Sequence, residues 1–262
     1  MTRRGLTQVT WASEAGGERP NEDYVVTGPG WALVLDGATA PAGVESGCVH
    51  DVRWLVRQLA AAVAARMPSA ALSLAELLAE AITDVRRAHN GTCDLANPDS
   101  PASTVAMCRV NGSALEYLSL ADSAVLHTRP GQAAEVFLDE RTSDPPGGKP
   151  RPNEVARLLR NQPGGFWVAS TRPEAAYEAV RGTCGLADDS SVFLLTDGVT
   201  RLVEFYGQTW DCLAAMAAAQ GPGSLITAVR QLEDDQPPRY GKQHDDATAI
   251  HMTGFIGPRG SH

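Results

Sequence analysis

Apolar residues fall in short runs cut off by acids, glycines and prolines. In the stretch 31–39, WALVLDGAT, the run stops at Asp36 and is followed at once by Gly37. A buried strand ending in a sharp backbone turn reads this way. VFLLTDGVT repeats the grammar, with the run 192–195 ending in Asp197-Gly198. Residues 6–13, LTQVTWAS, predict a first strand and 24–27, YVVT, a second, on either side of the acid- and Gly-rich loop SEAGGERPNEDY. Two helical stripes follow. Over 46–67, Val52, Leu55, Leu59 and Val63 share a face opposite Arg53 and Arg57, and Pro68 closes the segment. Ser73 with Glu76 predicts a capping box that opens a second helix, striped by Leu74, Leu77, Leu78, Ile82 and Val85 and stopped near Gly91.

Short strands resume at 103–110, 114–121, 124–129 and 134–138, with Asn111-Gly112 as a tight hairpin signal. A Pro/Gly-rich loop covers 142–153, a short helix 153–159 and a strand 166–170, while 173–187 fits no single pattern. A strand into Asp197, helices over 210–219 and 224–232, an acidic loop and a last strand at 247–254 complete the chain. Strands flank a helical pair and then resume as hairpins, so the class is α+β or a layered sandwich, not alternating βαβ units.

Composition narrows the function classes. The 262 residues allow one large domain or two small ones, and 43% hydrophobic residues suffice for a sizeable core. A net charge of −9 argues against a nucleic-acid binder held by phosphate contacts. No run predicts a membrane span and the N-terminus has no secretory core, so a cytoplasmic protein is expected. The composition is Ala- and Arg-rich and Lys-poor, as in high-GC bacteria. Cys48, Cys93, Cys108, Cys184 and Cys212 are widely spaced with no CxxC pair, which signals neither a zinc site nor a disulfide framework. Buried free thiols are the expectation.

The chemistry lies in the acids. Glu22 and Asp23, Asp36, Asp122, Asp197, and Asp245 with Asp246 fall almost entirely at predicted strand ends. Each alone reads as a turn residue or helix cap. Together, with no His or Cys companion, they suit a hard cation such as Mg2+ or Mn2+.

NED at 21–23, LVLDGAT at 33–39 with Gly43 and Ser46, PASTVAMC at 101–108, LSLADSAV at 118–125, LLTDGV at 194–199 and HDDATAI at 244–250 occur in one order. Their order and spacing resemble the type 2C (PPM) metal-dependent protein phosphatases, a match that spans about residues 8–252. The resemblance implies a four-layer αββα sandwich, with two antiparallel β-sheets flanked by helices. It implies two Mn2+ or Mg2+ ions per site that activate a water for direct attack on a phosphomonoester, with no phosphoenzyme. Carried over by motif, Asp36 is the carboxylate that bridges the metals and Gly37 offers its carbonyl to one of them. Asp23 or its neighbour Glu22 supplies the acid on that side. Asp197 and Asp245 ligate the other metal, Asp246 stands where the family more often has Asn, and Asp122 with Asp197 can hold a third, weaker ion.

Two positions depart from that pattern. Glu18 stands where the family has a phosphate-binding Arg, with Arg19 one residue late; Arg19 is either a phosphate contact or a solvated loop residue. Ala38 stands where some members have a His suited to protonating the leaving group; His244 is a candidate substitute, or a surface His. The expectation is one phosphatase domain over 1–255 with a polar tail at 256–262, acting as a monomer on phosphoserine or phosphothreonine in proteins. A small phosphorylated metabolite is the alternative substrate, and a partner-binding pseudophosphatase the non-enzymatic one.

Overall fold

The computed structural model describes residues 7–41, 43–141, 153–238 and 241–255. The loop expected over 142–153 therefore lies almost wholly outside the described residues, as does the tail 256–262. Among the described residues, ten strands form two antiparallel sheets of five strands each. One sheet contains β2 (Tyr24–Gly28), β3 (Trp31–Ala38), β4 (Ala102–Asn111), β5 (Ala114–Leu120) and β8 (Val180–Gly185), side by side in that order. The other is ordered β1 (Gln8–Glu14), β10 (Ala247–Thr253), β9 (Ser191–Leu195), β6 (Ala124–Thr128) and β7 (Glu135–Phe137).

Central strands read as continuous apolar runs because both faces are covered. Along β3, Trp31, Leu33 and Leu35 pack under helices α1 (Val52–Arg66) and α2 (Leu74–Ala88). The alternate residues Ala32 and Val34 face the other sheet. Strand β9 divides the same way. Phe193 and Leu195 meet α4 (Asp197–Glu204), α5 (Trp210–Gln220) and α6 (Gly223–Asp235), while Val192 and Leu194 face inward. The order helices, sheet, sheet, helices is the expected four-layer αββα sandwich. Period-two alternation thus sorts residues between two buried layers instead of between core and water.

Local signals were mostly sound. The capping box at Ser73 and Glu76 is present. The short helix α3 (Asn153–Leu159) forms as expected. The hairpin turn sits one step later than read: Asn111 pairs with Ala114, leaving Gly112-Ser113 as the loop, with Gly112 at φ +62°.

Three expectations are corrected. Helix α1 begins at Val52, not near Ser46, because Asp51 is its N-cap and accepts from the Trp54 amide at 2.8 Å. Gly47, at φ +67°, belongs to the preceding loop. Residues 166–170 make no strand; they contribute only isolated bridges, Ser103 to Ala169 and Arg160 to Phe166. Asp197 does not end in a loop but starts α4, a helix hidden behind the strand-like run before it.

Candidate functional site

Sheet register alone gathers the acids. Asp36 lies near the end of β3, where Leu35 opposes Tyr24, so Asp23 just before β2 lies beside it. In the other sheet Leu195 opposes both Ala124 and Ala249. Asp197, just past the end of β9, therefore meets Asp122, just before β6, and Asp245 and Asp246, just before β10. Antiparallel pairing places an outgoing strand end next to an incoming start. Asp36 lies on the inter-sheet face with Ala32 and Val34, so both sheets deliver carboxylates to one cleft.

The electrostatics reflect that crowding. Burial, then the charges of Asp197, Asp23, Asp122 and Asp245, hold the Asp36 carboxyl well above the usual carboxylate range. Burial, then Asp245 and Asp122, raise Asp197 likewise, against a lowering by Arg201. Asp23 is pushed up to about 7, chiefly by burial. Its Oδ2 accepts from Thr248 at 2.6 Å and Thr196 at 3.0 Å, while its Oδ1 is buried with no hydrogen-bond partner. Buried like charges and an orphaned acceptor are costly without a cation. An all-oxygen donor set of this kind fits hard divalent ions. The residues present therefore fit the metals that the family resemblance implies.

The remaining candidates divide by their contacts. Glu22 accepts from the Thr39 hydroxyl at 2.7 Å. Asp246 spans the loop before β2, accepting from the Gly16 amide at 2.8 Å and the Glu22 amide at 2.7 Å. It thereby fixes the NED segment beside the cleft. Asp245 accepts from Arg201 at 2.8 Å and Lys242 at 2.6 Å. Arg19 is exposed on the β1–β2 loop. His244 pairs through Nε2 with Asp234 on α6 at 3.0 Å. Gly37 and Gly198 are required by close approach. A Cβ on Gly37 would meet the Glu22 carbonyl at 2.7 Å, and one on Gly198 the Asp246 carbonyl at 2.0 Å.

Sequence reasoning missed the supporting residues: Thr196 and Thr248 on Asp23, and Arg201, Lys242, Arg230 and Glu233 around Asp245. Thr196 precedes the second DG, and Thr248 follows the DD pair by two positions, so both were within reach of a motif reading. The cations come from α4, α6 and a loop and carried no local signal.

These shifts give a signed expectation for the metal-free protein. Carboxyls raised in the fold bind protons that the unfolded chain has released, so stability falls as pH rises from about 4 towards about 7 and beyond. His89 and His251, held low by burial, titrate with the opposite sign. In EDTA, the melting temperature of wild type should therefore drop more between pH 5 and pH 8 than that of Asp36→Asn. Equal slopes would remove the carboxylates from the account.

Comparison with known proteins follows this geometry. A family model described as protein phosphatase 2C matches residues 12–233. No curated protein sequence matches significantly. Among solved structures, PppA, titled a key regulatory component of T6SS in Pseudomonas aeruginosa, superposes with TM-score 0.62 at 17% identity, covering 96% of this chain and 100% of that one. The Mycobacterium tuberculosis serine/threonine phosphatase PstP/Ppp gives 0.61 at 15%, covering 95% and 98%. The catalytic domain of PstP in complex with two manganese ions gives 0.60 at 15%, with the same coverage. At these identities the likeness is one of fold.

Proposed function

The chain belongs to the protein phosphatase 2C family and is a metal-dependent serine/threonine phosphatase; from that premise, we propose that its cleft carboxylates hold two Mn2+ or Mg2+ ions and that it acts on phosphorylated proteins. The single observation that carries the reading is the convergence of Asp23, Asp36, Asp122, Asp197 and Asp245, with the carboxyls of Asp23, Asp36 and Asp197 raised and one buried oxygen of Asp23 orphaned. Asp36 and the Gly37 carbonyl, with Asp23 or Glu22, would hold one ion, and Asp36, Asp197 and Asp245 the other; Asp122 with Asp197 would offer a third, weaker position. When bound, such ions supply a nucleophilic water at neutral pH and neutralise charge developing on the phosphoryl group. The manganese pair in the PstP catalytic domain supports this choice of ion.

The chain's own residues perform the rest. Thr196 and Thr248 fix one oxygen of Asp23 and leave the other buried without a hydrogen-bond partner. Asp246 fastens the loop that carries Glu22. Arg201 orients Asp245 from behind. Arg19, on the same loop as the NED segment, is the cation assigned to the substrate phosphate. We read residues 1–255 as one catalytic unit, supported by the extent of the family match.

The test is hydrolysis of p-nitrophenyl phosphate with EDTA, Mg2+ or Mn2+ in parallel, followed by a panel of phosphopeptides and phosphorylated metabolites. Activity that requires added metal, with phosphopeptides preferred, is expected. Arg19→Ala should raise KM several-fold with little change in kcat, and unaltered kinetics would return Arg19 to the solvated-loop role.

A further inference from the structure

We propose that Cys48, His50, His89 and Cys93 form a structural zinc site, separate from the carboxylate cleft. The four ligand atoms all lie within 4.8 Å of one another. His50 Nδ1 is 3.7 Å from the Cys48 sulfur and 3.4 Å from that of Cys93. A tetrahedral ion with Zn–S near 2.3 Å and Zn–N near 2.0 Å spans about 3.5 Å between sulfur and nitrogen ligands, and about 3.8 Å between sulfurs. The two His50 nitrogen–sulfur distances already match. The two sulfurs, 3.1 Å apart, need to part by only about 0.7 Å to take zinc. A disulfide would instead require them to close to about 2.0 Å.

The surroundings are those of a prepared site. His89 is 3% exposed, and its Nδ1 hydrogen-bonds the Val85 carbonyl at 2.8 Å. That bond fixes Nδ1 as the N–H and leaves the Nε2 lone pair for a metal. The Val49 amide donates to the Cys93 sulfur at 3.4 Å. The Trp54 ring stacks on His50 at 3.9 Å and meets His89 edge-on at 4.8 Å, limiting ring rotation. Two sulfurs and two imidazoles favour zinc over the hard ions of the cleft, so the sites need not compete. Four protein ligands fill a tetrahedron and leave no open position, which makes the site structural instead of catalytic. Binding would release the protons of both thiols.

Position gives the site its consequence. The loop leaving Asp36-Gly37 passes Cys48 and His50 before α1, while His89 caps α2 and Cys93 follows it. Asp94 donates its amide to the Gly47 carbonyl at 2.8 Å, and Asn97 its side-chain amide to Glu45 at 3.0 Å, continuing the same seam. Val52, the first residue of α1, lies against Gly37. Zinc would therefore clamp the wall that backs one side of the carboxylate cleft.

The experiment measures metal content in protein purified without chelators or added zinc, together with the visible spectrum of the cobalt-substituted form. Wild type and Asp36→Asn should each carry about one zinc per chain, and Cys48→Ser/Cys93→Ser almost none, with a lower melting temperature. Wild type loaded with Co2+ should show the intense absorption of a tetrahedral thiolate complex, a readout that survives if the double variant fails to fold. Zinc-free wild type with all five thiols reactive, a Cys48–Cys93 disulfide seen by mass, or unchanged zinc in the double variant would each overturn the proposal.

Discussion

Asp36→Asn should lose metal-dependent phosphatase activity by about a thousandfold or more, and at the same time raise the melting temperature of the metal-free protein. The two effects have one cause. Asp36 sits at the centre of the acid cluster, and its carboxyl is raised by burial and by four neighbouring aspartates. Replacing it with an isosteric amide leaves no cavity and relieves those repulsions, which stabilises the fold without cations. It also removes the charge that both proposed ions share, so Mn2+ should no longer raise the melting temperature at pH 8 as it does in wild type. Enhancement worth several kcal/mol is at stake, and each 1.4 kcal/mol is about tenfold in rate. The checks are p-nitrophenyl phosphate kinetics and thermal melts with EDTA or Mn2+. Activity within about tenfold of wild type would move the bridging role elsewhere, because that loss is only about 1.4 kcal/mol.

Arg201→Leu should cost about 3 kcal/mol of folding stability, the range seen when one partner of a buried ion pair is removed. Arg201 is 7% exposed and Glu233 fully buried, paired at 2.7 Å. The other arm of the guanidinium holds Asp245 at 2.8 Å. Among the described residues, Glu233 would keep Arg230, at 2.8 Å, and Asp245 would keep Lys242 as its side-chain cation. Glu233 is fully buried, so water cannot replace what it loses. Urea denaturation gives the measurement, and Arg201→Leu/Glu233→Leu supplies the control: removing both charges should recover much of the loss. A single-variant cost below about 1 kcal/mol would class the pair with exposed ion pairs. Because Arg201 steers Asp245, the variant should also need more Mn2+ for half-maximal activity.

The residues differ in how much of this could be read in advance. The two DG strand ends, the capping box and the order of six short motifs lie in contiguous stretches, and local physics acts on contiguous stretches. They sufficed for a layered α+β class and, through the family resemblance they carry, for the αββα sandwich and the carboxylates placed in the cleft. Misreadings fell where a neighbouring element overrode a local pattern. FWVAS at 166–170 has strand composition but pairs only through isolated bridges. The early start assigned to α1 ignored Asp51, a better cap than anything before it. Asp197 reads as a strand end, yet it lies just past β9 and begins a helix.

The sequence by itself determined the alternation that buries both faces of the central strands, the helix caps and the acids at strand ends, because each depends on spacing within a few residues. Only the tertiary structure decided which distant groups share a volume. Register brought Asp23 and Asp197 to one cleft, α4 and α6 brought Arg201 to Glu233, and the packing of α1 on α2 brought Cys48 and His50 to His89 and Cys93. The cysteine spacing was uninformative for that last reason: a metal reads distances in space, and here the two halves of its tetrahedron come from opposite ends of a helical pair.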